Sequence, residues 1–105
     1  MGQWDVHSNP VAKARDEIPY LVVVQSDLLD FLPTRLVLPL SRSKVAPAGL
    51  PVRMAPTFDL LGETLTLKPH EAGTVPARSL GPAVANLRQD SWDLVDALDT
   101  VISGV

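Results

Sequence analysis

The sequence contains no cysteine, few aromatic residues and no long apolar run. Without cysteine the chain cannot form a disulfide framework, use a thiolate nucleophile or hold zinc or an iron–sulfur cluster through sulfur. The longest apolar run is Tyr20–Val24, far shorter than the roughly 20 residues of a membrane-spanning helix. Neither a signal peptide nor a myristoylation motif is visible at the start of the sequence. These absences predict a soluble cytoplasmic domain that does not contact membranes.

The length of 105 residues predicts one domain spanning residues 1–105. With 46% apolar residues and a net charge of only -3, the chain has enough apolar side chains to bury a core. The composition therefore excludes intrinsic disorder.

The negative charge is concentrated at the C-terminal end. Residues 1–82 are electrically neutral, and the whole excess comes from residues 83–105, where four aspartates face one arginine: Asp90, Asp93, Asp96 and Asp99 against Arg88. Nucleic-acid binding needs a local excess of lysine or arginine to meet phosphates. Direct binding of DNA or RNA is therefore not expected.

Ten prolines divide the chain into short segments, and the longest stretch without one is the 23 residues after Pro82. Because proline disrupts a helix interior, one C-terminal helix is predicted and the rest reads as strands, a mostly β (α+β) fold. Pro39 is expected to end a strand. The strand candidates are Trp4–His7, Tyr20–Val24, Arg35–Leu38, Val52–Ala55, a hairpin of Phe58–Leu61 and Glu63–Lys68 around Gly62, and Val75–Leu80, with 41–49 as a loop.

The terminal helix is amphipathic and is predicted to begin at Asn86 or at Asp90. At 100° per residue Trp92 falls on the polar side, and Gly104 suits a helix C-cap. One face is expected to pack on the sheet: Leu87, Ser91, Leu94, Val95, Leu98, Val101 and Ile102. The four aspartates and Thr100 lie off this face, and the aspartates are interpreted as a solvated surface rather than a cation site.

Chemistry-bearing motifs are missing from the sequence. His7 and His70 are both expected to be exposed and idle, and neither has metal-ligand spacing. No phosphate-binding glycine loop or nucleophile elbow is present, so no cofactor or metal is predicted. Leu28 and Leu29 are interpreted as core anchors of a loop rather than partner contacts. Trp92 remains a candidate partner contact, because aromatic residues are enriched at interface hot spots. These residues favour a binding protein over an enzyme.

The run VVVQSDLLD at residues 22–30, followed by RLVLPL at residues 35–40, resembles the CcdB family of toxins. The resemblance is collinear from Tyr20 to the end of the sequence. It implies an SH3-like, CcdB/MazF-type antiparallel barrel-like sheet, a small second sheet and a C-terminal helix, assembled as a homodimer. It also implies inhibition of DNA gyrase: the toxin binds the A subunit of gyrase, traps the cleaved gyrase–DNA complex and is neutralised by a CcdA-like antitoxin. Such a toxin has no active site of its own.

The same resemblance implies a gyrase-contacting surface. Carried over by position, it consists of Leu28, Leu29, Ser91, Val95, Asp96, Asp99, Ser103, Gly104 and Val105. The family ends in Trp-Gly-Ile, whereas this sequence has Ser103 in place of the tryptophan. Trp92 is the candidate substitute aromatic, although about 16 Å of helix separates it from Ser103.

Two alternatives stay open at this point. A MazF-like endoribonuclease toxin has the same architecture and would need a basic RNA groove, for which the candidates are Arg35, Arg42, Lys44 and Arg53. A CcdB-like protein that binds the antitoxin but no longer poisons gyrase would follow from the loss of the terminal tryptophan.

Overall fold

The computed structural model describes residues 2–43 and 49–104, so Lys44 and Val105 lie outside the described residues. The strands are β1 (Asp5–Ser8), β2 (Tyr20–Val23), β3 (Thr34–Ser41), β4 (Thr57–Leu60), β5 (Glu63–Leu67), β6 (Gly73–Pro76) and β7 (Ala83–Asn86), and the helix is α1 (Ser91–Ser103). Short 3-10 turns occupy Ala12–Ala14, Asp27–Leu29, Val52–Met54, Pro69–Glu71, Ala77–Ser79 and Arg88–Asp90. The predicted class, mostly β with one C-terminal helix, is confirmed.

All strand pairs are antiparallel, in the order β4-β5-β3-β2-β1-β7, and β6 also pairs with β3. Strand β3 holds the sheet together because its first half pairs with β6 and its end pairs with β5. The resemblance implies a small second sheet, but the described strands form one sheet, which the β4–β5 hairpin joins through β3.

Pro39 does not end its strand, contrary to the prediction, and β3 continues to Ser41. Pro39 pairs with Leu21 of β2, and its carbonyl accepts a hydrogen bond from the amide of Lys68 on the other side. The missing N–H of Pro39 faces that same side, at the point where β3 changes partners from β6 to β5. A proline is tolerated there because no ladder hydrogen bond is required of it.

The turn of the β4–β5 hairpin matches the prediction. Leu61 and Gly62 connect the strands, and both have positive φ angles, 53° and 82°. This is the type I′ geometry, whose twist matches that of the flanking strands. Two strand predictions are wrong in detail. Residues 52–54 form a 3-10 turn, and the chain leaves the sheet after Pro76 and forms another 3-10 turn.

The sheet buries apolar residues on both faces, since alternate side chains point to opposite sides. On one face Val22 and Leu38 pack against Leu94 and Ala97 of α1. The other face carries a smaller cluster of Leu21, Val23, Val37 and Leu80. Among the described residues, no helix is both long and apolar enough to cross a membrane.

Candidate partner-binding surface

The outward side of α1 carries large apolar side chains that nothing in the described chain covers. Trp92 is 84% exposed, as its position in the sequence pattern indicates, and Ile102 is 78% exposed. Val95 is 41% exposed, and Asp99 is exposed beside it. Their spacing of three, four and three residues places Trp92, Val95, Asp99 and Ile102 in one stripe along the helix. We call these four residues the α1 stripe.

The buried side of α1 is rotated from the predicted one. Ala97 and Thr100 are buried beside Leu94. Val95 and Ile102, which were predicted to face the core, are exposed instead. The Thr100 hydroxyl donates to the Asp96 carbonyl at 2.8 Å, so burial leaves no unpaired hydroxyl. The buried side of α1 therefore consists of Leu94, Ala97 and Thr100, and the larger Ile102 lies outside it.

The aspartates of α1 form the solvated surface that the sequence predicts. Asp93, Asp96 and Asp99 are exposed, and Asp90 is half-buried just before the helix. None of the ion pairs in residues 2–43 and 49–104 includes these four side chains, and no metal-binding group of acids and histidines occurs there. A partner would meet an apolar stripe with acidic flanks.

The two ends of α1 differ from each other. Ser91, where the helix begins, is half-buried, and the preceding Asp90 makes no side-chain capping hydrogen bond. At the far end Gly104 has a left-handed φ of 75°, and its amide donates to the Thr100 carbonyl, which confirms the predicted C-cap. Ser103 is exposed, and its hydroxyl donates to the Asp99 carbonyl at 2.7 Å. The predicted contact residue Val105 lies outside the described residues.

Leu28 and Leu29 are exposed, so their interpretation as core anchors is wrong. Leu28 is 86% and Leu29 is 42% exposed on the 3-10 turn that follows β2. Phe31, two residues further on, is 80% exposed and was missed by sequence reasoning. A signal was available, because four large apolar residues crowd a short connection between two predicted strands and cannot all turn inward.

The loop after β2 and the start of α1 lie at the same end of the sheet. The amide of Trp4 donates to the carbonyl of Val23, the last residue of β2, and the carbonyl of Trp4 accepts from the amide of Leu87. The sequence-predicted surface therefore separates into two parts. Leu28 and Leu29 lie at the end of the sheet where α1 begins, whereas Ser103 and Gly104 lie about 18 Å further along the helix.

Side-chain hydrogen bonds reinforce this end of the sheet. The carboxylate of Asp5 accepts hydrogen bonds from the Asn86 side chain and the Gly2 amide, each at 2.8 Å. The carboxylate of Asp27 accepts from the Gln3 amide at 2.8 Å. Partial burial raises the pKa of Asp5, but the hydrogen bonds from Asn86 and Gly2 outweigh it and hold that pKa below its ordinary value of 3.8.

The candidate RNA-groove arginines do not form a groove. Arg35 is buried and its guanidinium donates to backbone carbonyls. Arg42 pairs with Glu63 through contacts of 2.6 and 3.2 Å. This hydrogen bond raises the pKa of Arg42 and lowers the pKa of Glu63. Arg53 is exposed on its 3-10 turn.

His7 is fully buried, contrary to the prediction that it is exposed and idle. Its Nδ1 lies 2.8 Å from the carbonyl oxygen of Gly81, and because a carbonyl only accepts, Nδ1 donates. Nε2 has no hydrogen-bond partner among the described residues. His70 is exposed, as predicted, with Nε2 3.7 Å from the Glu71 carboxylate.

The described residues form a small antiparallel sheet with one covering helix, and large apolar side chains are exposed at one end of that sheet. The sequence model of the CcdB protein family matches residues 3–104. The chain therefore belongs to the CcdB family, the toxins of bacterial toxin–antitoxin systems. No curated protein matches the chain by sequence.

Solved structures of other toxins share the fold. A mycobacterial endoribonuclease in complex with its cognate antitoxin superimposes with a TM-score of 0.77 at 10% identity, covering 97% of this chain and 94% of that one. The Mycobacterium tuberculosis toxin MazF-mt6 gives 0.71 at 16% identity, covering 93% and 95%. A further Mtb toxin gives 0.65 at 16% identity, covering 78% and 90%. At these identities the likeness shows the shared fold alone.

Proposed function

We propose that this chain is a toxin that binds the A subunit of DNA gyrase and traps the cleaved gyrase–DNA complex. The observation that carries the proposal is the match to the CcdB family over residues 3–104. In the proposed mechanism gyrase itself breaks the DNA, and the toxin contributes binding energy but no reacting group. By stabilising the cleaved state, the bound toxin shifts the equilibrium away from religation. The toxin acts as a homodimer in the cytoplasm.

The exposed surface supports this proposal on physical grounds. Apolar side chains as exposed as Trp92 and Leu28 are typical of interaction sites. Aromatic residues dominate binding energy where an interface excludes water. We assign the contact with gyrase to the α1 stripe together with Leu28 and Leu29, which lie at the end of the sheet where the stripe begins.

The proposal includes a CcdA-like antitoxin that neutralises the toxin. It is supported by the family and by the fold neighbour whose structure contains a cognate antitoxin. An antitoxin segment that covers the α1 stripe would exclude gyrase from the same apolar residues.

The test is a plasmid cleavage assay with purified host gyrase, supercoiled DNA and ATP. Linear DNA, scored after denaturation, is expected to rise with the concentration of the toxin. Trp92→Ala should weaken this effect by about thirtyfold, the usual consequence of removing an aromatic hot spot. Its unfolding free energy should stay within about 0.5 kcal/mol of the wild type, because the side chain is exposed.

Val11→Ala provides the matched control for this assay. Val11 is 57% exposed but follows β1 at the opposite end of the β1–β2 pair, where Ser8 pairs with Tyr20. Its potency should equal that of the wild type. Absence of linear DNA from folded wild-type protein would contradict the gyrase proposal and favour an antitoxin-binding homologue that no longer poisons gyrase.

The fold likeness to the endoribonucleases supports a second candidate, a MazF-like RNase. The roles of Arg35 and Arg42 argue against it, because both guanidiniums already bind groups of this chain. Replacing Arg35 cannot separate the two functions, since its loss would disturb the fold in either case. Incubating the same preparation with RNA provides the discriminating readout, and RNA cleavage without DNA cleavage would favour the RNase.

A further inference from the structure

Strand β4 forms one edge of the sheet, and its outer side is unpaired within residues 2–43 and 49–104. The strand order begins β4-β5-β3, so β4 pairs with β5 on one side and with no described strand on the other. An edge strand presents backbone N–H and C=O groups that another extended segment can bind. The outer side of β4 is therefore a candidate for binding a further strand.

The hairpin register shows which backbone groups of β4 face outward. The carbonyl of Pro56, just before β4, accepts a hydrogen bond from the amide of Leu67 at 2.9 Å. Hydrogen-bonded and non-hydrogen-bonded pairs alternate along an antiparallel ladder, so Phe58 is the next hydrogen-bonded position. The N–H and C=O groups of Thr57 and Asp59 therefore point away from β5. In the described part of the chain no backbone group from outside the hairpin pairs with them. We call these outward groups of Thr57 and Asp59 the β4 edge.

The outer face of the hairpin has two different surfaces along the β4 edge. The first is a cavity of about 330 Å³ next to Thr57, and its other lining residues are mostly apolar: Leu50, Pro51, Val52, Ala55, Thr64 and Thr66. Val52 is 91% exposed, and apolar side chains this exposed are typical of interaction sites. The second surface is a depression formed by Asp59 and residues 60–64. Thr57 and Asp59 lie on the same face of β4, about 7 Å apart along the strand.

Asp59 gives the second surface an uncompensated negative charge. Its side chain is exposed, and its carboxylate accepts a hydrogen bond from the Thr64 hydroxyl at 2.7 Å. None of the ion pairs among the described residues includes Asp59, whereas the neighbouring Glu63 is bound by Arg42 at 2.6 Å. A carboxylate has about four acceptor positions, so Asp59 can also bind a cation. A basic side chain is the complement of this surface.

An extended peptide is the occupant that fits both the backbone and the side chains. Alternate residues of a strand lie on one face at the spacing that separates Thr57 from Asp59. An α-helix uses its backbone groups internally, and a nucleic acid would bring phosphates to the Asp59 carboxylate. A second copy of this chain would offer the strand Thr57–Leu60, which contains no cation for Asp59.

We propose that the β4 edge binds an extended peptide segment of a protein partner, in which lysine or arginine precedes an apolar residue by two positions. The peptide pairs antiparallel with β4, as in all the described strand pairs. The basic residue then lies opposite Asp59, and the apolar residue lies opposite Thr57 at the cavity. Backbone hydrogen bonds provide affinity, and the two side chains provide specificity. This inference goes beyond the proposed function and does not depend on gyrase.

The experiment titrates the full-length, isotope-labelled chain with the acetylated and amidated peptide Ser-Thr-Lys-Thr-Leu-Thr-Ser, followed by NMR. The amide resonances of Thr57 and Asp59 are expected to shift as the peptide is added. Those of Val84 and Asn86 in β7, at the other end of the strand order, should not shift. The peptide Ser-Thr-Leu-Thr-Lys-Thr-Ser should bind about two- to fivefold more weakly, because antiparallel pairing then places leucine beside Asp59.

Backbone pairing is tested on the peptide, which leaves the protein unchanged. N-methylation of the leucine removes an N–H that points to the β4 edge, and it should weaken binding by about tenfold. N-methylation of the central threonine is the matched control. Its N–H points away from β4, so this peptide should keep the original affinity.

The role of Asp59 is tested by reversing its charge. The wild type should prefer the lysine peptide to its glutamate counterpart by about two- to fivefold, and Asp59→Lys should reverse this preference. Asp93→Lys makes the same charge change at an exposed aspartate of α1 and should keep the wild-type preference.

Each outcome supports or overturns the site. Shifts at the β4 edge that require the leucine N–H, with a preference that reverses in Asp59→Lys, support it. Absence of shifts at millimolar peptide, or equal affinity of the two N-methylated peptides, overturns it. An unchanged preference in Asp59→Lys overturns the role of Asp59. Shifts of Thr57 and Asp59 that follow protein concentration without peptide would assign the edge to a second copy and overturn the peptide site. None of these readouts involves gyrase, so the plasmid cleavage assay tests the proposed function separately.

Discussion

At the scale of single residues, the carboxylate of Asp5 makes the stability of the fold depend on pH. Its carboxylate accepts hydrogen bonds from Asn86 and Gly2, so its pKa is lower in the folded chain than the ordinary value of 3.8. A group with a lowered folded pKa stabilises the protein above its unfolded pKa. That contribution is lost as the pH falls from about 4 through the lower, folded value.

We predict that Asn86→Ala makes the acid-induced loss of stability below pH 4 less steep, because the folded pKa of Asp5 moves back towards its ordinary value. At pH 7 the variant should lose about 1–3 kcal/mol, the net value of two hydrogen bonds, because the Asn86 side chain also accepts from the Arg88 amide. Urea unfolding between pH 2 and pH 7 measures both effects. Asp5→Asn, which cannot ionise, is the control, and an unchanged acid slope in that variant would contradict the assignment.

Buried polar residues were the least predictable from the sequence. His7 and Arg35 are both residue types that usually remain exposed. Backbone carbonyls accept hydrogen bonds from both: that of Gly81, 74 residues away, from His7, and those of Asp30, Leu32 and Thr34, all close in sequence, from Arg35. The partner of His7 is brought close only by the fold, so no local pattern could reveal it.

At the scale of elements, the turn of the β4–β5 hairpin contains a strained residue. Leu61 has a φ of 53°, in the left-handed region that costs an ordinary L-residue roughly 1–2 kcal/mol. Asparagine tolerates this region far better. Half of the Leu61 side chain is exposed, so little apolar burial is lost on replacing it.

We predict that Leu61→Asn raises the unfolding free energy by about 0.5–1 kcal/mol, because it relieves the backbone strain. Urea denaturation gives the change. Leu61→Val is the matched control, since a β-branched residue at positive φ should lower the stability instead. A Leu61→Asn protein less stable than the wild type would show that apolar contacts of Leu61 outweigh its strain.

The type of each element was predicted correctly wherever the local sequence pattern favoured one kind of secondary structure. The β-branched run that became β2, the alternating run of β5 and the proline-free C-terminal stretch all gave the right element. The rotation of α1 escaped prediction because burial depends on which side of the helix meets the rest of the fold, including the 3-10 turns Val52–Met54 and Pro69–Glu71 that contact it. Ala97 and Thr100 lie on that side and Ile102 does not. By hydrophobicity alone, Ile102 would be predicted to be more buried than Ala97 and Thr100.

At the scale of the whole molecule, charge and exposed apolar area point to the same part of the chain. The entire net charge of -3 comes from residues 83–105, which also carry the α1 stripe. An acidic surface repels nucleic acid. This distribution favours the proposed toxin that acts through a protein partner over the alternative that binds RNA directly.

The last prediction concerns assembly. The free chain leaves Trp92, Ile102, Leu28 and Phe31 largely exposed. We expect a homodimer of the 11.3 kDa chain, as membership of the CcdB family implies, and the surface assigned to the proposed partner must stay open in that dimer.

A homodimer that unfolds to separate chains gains about 1.4 kcal/mol in apparent stability for each tenfold rise in concentration. For a folded unit of this combined size the thermal midpoint should rise by roughly 3–6 °C over that range. Differential scanning calorimetry at two concentrations measures the shift, and equilibrium sedimentation gives the mass. A midpoint independent of concentration, with a sedimentation mass of one chain, would contradict the dimer.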